Sequence, residues 1–129
     1  MNKAIFINAE TKEVVSVELS KENVLSECYG LIGCNIVEAI YTYCDGECDG
    51  NQLVFDEEGL FKEGKSGFYF DGWFIYGNAI IWGNDMHGYL ADCNYQVDDV
   101  LSRLHWVDKE MSESIRNSKL QKMPQVLAW

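Results

Sequence analysis

At 129 residues, 47% hydrophobic and 13% aromatic, the chain can bury the core of one ordinary domain without disulfides or a metal, and its composition argues against disorder over most of its length. Its 21 acidic and 10 basic residues give a formal net charge of -11, which repels a nucleic-acid backbone and argues against nonspecific DNA or RNA binding; a basic protein partner or a DNA-mimicking role stays physically open. No apolar run reaches the roughly 20 residues that cross a bilayer and no positively charged apolar leader opens the chain, so a cytoplasmic protein with no membrane attachment is expected.

Residues 3–8 (KAIFIN) and 14–19 (VVSVEL) have strong β propensity and are predicted to form a hairpin, with Asn8 or Thr11 starting the turn. Ser20 is predicted to cap a helix whose buried stripe is Val24, Leu25, Cys28, Leu31 and Ile32, and Gly33 to end it in a left-handed conformation. Residues 31–43 (LIGCNIVEAIYTY) carry six β-branched or aromatic residues and one charge, and read as the buried strand against which the rest assembles. The run CDGECDGN must be turn or loop, residues 52–55 a short strand, and residues 62–66 an exposed, mobile connection.

Residues 67–82 are divided by Asp71, Gly72, Gly77 and Asn78 into two or three strands or tight turns, with residues 79–82 the clearest strand. Residues 83–88 (GNDMHG) read as a surface loop, and the pattern over residues 89–95 is ambiguous. From Gln96, the stripe Val97, Val100, Leu101 and Leu104 continues through Val107, Met111 and Ile115, predicting a helix to about Ser118; the alternative stops it at Leu104, with residues 105–107 a short edge strand. The sum is one α+β domain, a mostly antiparallel sheet of five or six strands with at least two packed helices.

The segments KAIFIN, VVSVEL, LIGCNIVEAI, LVFDEEGLFK, GNAIIWGND and VDDVLSRLHWV stand in the order found in the DUF3846 family, which the chain resembles up to about Val107. These are small proteins carried largely by phages, plasmids and other bacterial mobile elements. The resemblance implies an intracellular bacterial or phage-associated protein, and it hands over no activity, ligand or functional residue. It divides the chain into a domain over residues 1–107 and a helical or extended extension over residues 108–129.

Four carboxylates form the best metal candidate. Asp45, Glu47 and Asp49 occupy the first, third and fifth places of a calcium-type loop, Gly50 the sixth and Asp56 the last. Gln52 stands where an apolar residue belongs and the last ligand is Asp rather than Glu, so a solvated acidic hairpin connection explains the same residues. The five cysteines lack zinc-site spacing and read as reduced thiols. Asp85 and His87 are the pocket candidates, an acid beside a base in a loop after an apolar strand, with Cys93 a conceivable nucleophile across the fold; a surface-loop histidine is the plainer reading. The string GLFKEGKS satisfies the bare phosphate-loop pattern at Lys65 and Ser66, but strand-like sequence follows it where a helix is required.

Trp73, Tyr76, Trp106 and Trp129 are the interaction candidates. Alternation sends Trp73 and Ile75 to one side and Phe74 and Tyr76 to the other, so one side is core and the other either a partner surface or a helix seat. No cofactor is expected. The function expected is a non-catalytic interaction protein of a mobile element or phage that acts on a host protein. The alternative is a small-molecule or nucleotide-binding domain, with catalysis open, built on the loops over residues 45–56 and 84–87. Oligomeric state stays open, since the extension can dock on its own domain or pair with another copy through Val107, Met111 and Ile115.

Overall fold

The computed structural model describes residues 1–122. Strands β1 (Asn2–Asn8) and β2 (Glu13–Leu19) form the expected hairpin, and Asn8 starts its turn by accepting the N–H groups of Glu10 and Thr11, both at 3.1 Å. Helix α1 (Val24–Ile32) follows, ended by Gly33 at φ 83°. Its N-cap position is Asn23 rather than Ser20. Ser20 instead accepts from the Asn23 N–H at 3.3 Å and donates to Glu27 at 2.8 Å, tying the end of β2 to the helix. Leu25, expected on the buried stripe, is exposed, whereas Cys28 and Ile32 are buried.

Next come β3 (Val37–Cys44), β4 (Glu47–Asp56) and a short 3-10 turn (Gly59–Phe61). Three strands then follow in quick succession: β5 (Gly67–Phe70), β6 (Trp73–Tyr76) and β7 (Ala79–Asn84). The described residues end with β8 (Leu90–Ala91), α2 (Val97–Ser102), β9 (Leu104–Val107) and α3 (Lys109–Gln121). All strand pairs among the described residues are antiparallel, and the domain is α+β as expected.

The larger sheet has the order β2-β1-β7-β4-β3, with β8 paired to the end of β7. Its centre is therefore β7, and the stretch expected at the centre forms an edge: β3 begins at Val37, pairs only with β4 among the described residues, and buries only Thr42. Alternation along β1 and β7 sends Ala4 and Ile80 to one face and Ile5, Ile7, Ala79 and Ile81 to the other. Cys28, Ile32 and Cys34 cover the first face with Leu19 and Val54. The second face meets a three-stranded sheet, order β6-β5-β9, through Phe68, Phe70, Ile75 and Leu104, with Tyr95 and Val100 filling the end. Each such buried side chain contributes about 1.5–3 kcal/mol by leaving water.

The long C-terminal helix is not observed. Its stripe divides into α2, β9 and α3, because Leu104 to Val107 pairs with β5 and Trp106 packs edge-on against Phe68 at 6.1 Å. The extension docks on its own domain through polar residues: Ser112 and Arg116 are buried, while Met111 is 54% exposed. Residues 62–66 are pinned rather than free, since the N–H groups of Gly64, Lys65 and Ser66 donate to Glu113, Tyr76 and Glu10. No helix among the described residues is long and apolar enough to cross a membrane.

Candidate functional site

Asp45 and Gly46 both have positive φ, 53° and 83°, and close β3 onto β4 in a two-residue turn. The rest of the acidic run belongs to the strand. Between the Tyr41–Gln52 and Tyr43–Cys48 pairs, Asp49, Gly50 and Asn51 bulge opposite Thr42. The bulge turns the Asp49 carboxylate inward, where it accepts from the Thr42 hydroxyl at 2.6 Å, the Asn51 N–H at 3.1 Å and the Tyr95 hydroxyl. Burial alone would raise the Asp49 pKa, but these donors together outweigh it and hold the carboxyl below the ordinary aspartate value. Asp49 is a brace for the hairpin. Asp56 sits at the opposite end of β4, paired with Lys62 at 2.6 Å, and Asp45 and Glu47 stand exposed at the hairpin tip. Among the described residues no three His, Cys, Asp or Glu side chains converge on a metal site.

A folded-state pKa below the unfolded value means that the stabilisation from Asp49 is present above about pH 4 and is lost as pH falls through the folded value. Asp49→Asn is expected to cost about 1–2 kcal/mol at pH 7. The gap from the parent should narrow by pH 3, as read by urea unfolding at the two pH values.

Two concavities lie beside the hairpin. The first, of about 370 Å³, joins Tyr41, Cys48 and Gly50 to Asn84, Asp85, Met86 and Gly88. An adjoining hollow of about 200 Å³ carries it past Gln52, Trp82 and Leu90 to Val24 on α1. The two loops named from sequence therefore do meet in one groove. The Asp85 carboxylate, however, shapes its own loop by accepting the N–H groups of His87 at 2.8 Å and Tyr89 at 2.9 Å. The Tyr89 amide foremost holds its pKa below the ordinary value. His87 is exposed and does not line the groove.

The second concavity, of about 140 Å³, opens between the edge of β3 and strand β6 and is lined by Ile40, Thr42, Leu53, Phe70 and Trp73 among others. Trp73 is 55% exposed at its rim. Tyr76 is buried: its hydroxyl donates to Glu113, and the Arg116 guanidinium lies 5.9 Å from the ring centroid. The face carrying Phe74 and Tyr76 is thus a helix seat. Trp106 packs inward against Phe68, and Trp129 lies outside the described residues.

The phosphate-loop pattern is used by the fold, since the N–H groups of residues 64–67 all donate to side chains, the last being Gly67 to the Ser112 hydroxyl at 2.9 Å. All five cysteines are free thiols. Burial pushes the Cys28 thiol up to about 12 and raises Cys93 as well, which leaves neither a ready nucleophile.

The sequence reading passed over Tyr41 and Tyr43, each 51% exposed on β3. The signal was present in charge spacing: residues 22–61 hold nine Asp and Glu and no Lys, Arg or His. That run folds into α1, β3 and β4, one outer strand of the larger sheet included, and the bases that reach it come from outside the run: Lys62 pairs with Asp56, and Arg103, itself paired with Asp71, donates to the Tyr43 carbonyl.

No family model, curated protein or solved structure matches this chain.

Proposed function

We propose that this chain is a non-catalytic interaction protein, carried by a phage, plasmid or related element as the DUF3846 resemblance implies, and that it acts on a host protein through its acidic side. The observation that carries the reading is the base-free acidic run over residues 22–61, which includes the outer strand β3, paired only with β4 among the described residues and displaying Tyr41 and Tyr43. Acidic potential steers a basic partner, and exposed tyrosines supply rigid contact area at its centre. Native mass spectrometry of the protein recovered from its bacterial source tests this. A reproducible protein partner is expected, and recovery without one overturns the proposal.

The groove joining Tyr41, Asn84 and Met86 favours a second reading, a small-molecule or nucleotide site. A metabolite or nucleotide carried through the same measurement would support it. The double variant Asn84→Ala, Met86→Ala, which changes two side chains that line the groove, separates the two. Partner recovery should stay within about twofold of the parent under the interaction reading, whereas under the groove reading ligand retention is lost with the fold intact by circular dichroism.

A further inference from the structure

Strand β3 is an eight-residue edge without proline or lysine, the residues that commonly blunt such edges. Its hydrogen-bonding phase follows from one bond. The Ile36 carbonyl accepts from the Glu57 N–H at 3.2 Å, so Ile36, Glu38 and Ile40 turn their peptide groups toward β4. Val37, Ala39 and Tyr41 therefore present N–H and C=O outward. At the hairpin end the same alternation points the Tyr43 carbonyl outward, where it accepts from Arg103 at 2.8 Å. Directly beside this edge lies the cleft of Ile40, Leu53, Phe70 and Trp73, placed to receive alternate side chains of a strand added there.

Resting on the interaction reading above, we propose that the outer edge of β3 is the docking site for an extended, lysine- or arginine-bearing segment of a partner protein, added as a further antiparallel or parallel strand. Its apolar side chains enter the cleft beneath Trp73, and its basic side chains meet the acidic surround. Charge selects this occupant. Glu38, Asp45 and Glu47 are exposed on β3 and around its hairpin, and no basic residue interrupts residues 22–61. A second copy of this chain would bring two acidic hairpins together, each with its neighbouring Arg103 already paired to Asp71, and like-charge repulsion opposes that.

The geometry supplies its own test. Ala39 is exposed and its N–H faces out, so proline at this position removes no bond to β4 and blocks an incoming strand. The ¹⁵N-labelled protein is titrated with a capped nine-residue peptide alternating valine and lysine, and with its valine/glutamate counterpart. Protection of the Val37, Ala39 and Tyr41 amides and a shift of the Trp73 indole signal are expected. The valine/glutamate peptide should bind at least tenfold more weakly, as should the valine/lysine peptide to Ala39→Pro, whose spectrum otherwise matches the parent. Trp73→Ala, which opens the cleft and leaves the ladder alone, should weaken binding at least threefold. Equal binding by Ala39→Pro, shifts confined to the Trp82 groove, no binding, or dimerisation of the protein through β3 would each overturn the assignment. Recovery of Ala39→Pro from source cells keeps the two claims apart. An undiminished partner sinks the edge while the interaction reading stands, and absence of a partner from the parent itself sinks the interaction reading.

Discussion

Replacing Gly83 with alanine is expected to lower the melting temperature by about 10 °C or more, although the change adds a single methyl group to a strand. Gly83 sits near the end of β7 opposite Ala91 of β8. A Cβ there would stand 2.7 Å from the Ala91 carbonyl oxygen and closer still to the carbonyl group of Asp92. These are backbone atoms, so no side-chain rotation relieves the overlap, and β8 must move away from β7. Asp92 moves with it, and its carboxylate accepts the Lys3 N–H at 2.9 Å and the Asn2 side-chain amide at 3.0 Å. The adjacent Cys93 N–H donates to the Lys3 carbonyl at 2.8 Å. Overpacking of this kind costs about 3 kcal/mol. Hydrogen exchange should locate the damage, with amides of residues 90–93 losing protection before those of β4. A melting temperature within 2 °C of the parent would show that the strands can part here at little cost.

The sequence disclosed elements better than it disclosed their neighbours. The β1–β2 hairpin was legible because two alternating β-rich runs flank a short polar connection, and β7 because Ile80, Ile81 and Trp82 lie between glycine-containing turns. The misplacement of β3 has a physical cause. β-branched and aromatic residues favour a pleated backbone at an edge as readily as at the centre, and which strand is central depends on pairings between β7, β1 and β4 that no local window contains. The long helix failed for a related reason. Leu104 and Val107 fit helical spacing while Leu104 and Trp106 fit strand spacing, and pairing with β5, more than 30 residues earlier, decided between them.

The candidate site was legible in outline only. The alternative reading named the stretches over residues 45–56 and 84–87 together, and residues of both line one concave surface, although most of the first is strand β4 rather than loop. What each carboxylate does was not legible. Asp49 reads as a calcium ligand by position, yet Thr42 and Tyr95, seven residues before and 46 residues after it, claim its oxygens. Asp85 reads as half of an acid–base pair, yet it is committed to the amides of its own turn. Spacing states which groups are near in the chain, and hydrogen-bond donors supplied from elsewhere in the fold decide whether they are free for chemistry.

Ending the chain after Asp108 should have an effect of the same order, lowering the melting temperature by about 10 °C or more, because α3 completes the fold with polar bonds rather than with an apolar stripe. The deletion removes the Ser112 hydroxyl from the Gly67 N–H, which lies in the buried start of β5, and leaving that amide unpaired costs about 1–3 kcal/mol by itself. It also removes the Arg116 donor from the Leu60 carbonyl at 2.8 Å and uncovers the Tyr76 ring. Ser112→Ala isolates the first of these losses and should reproduce a third or more of the destabilisation. Glu113 adds a dependence on pH. Its bonds from the Tyr76 hydroxyl and then the Gly64 N–H hold its pKa below the ordinary glutamate value, so its contribution is present above about pH 4 and disappears as pH falls through the folded value. The difference in stability between full-length and shortened chains should therefore shrink between pH 6 and pH 3. Because the helix docks on its own domain, the shortened chain should keep the association state of the parent by light scattering. Unchanged melting behaviour would mean that water replaces every one of these partners at no cost, and that α3 is an appendage to the domain rather than part of it.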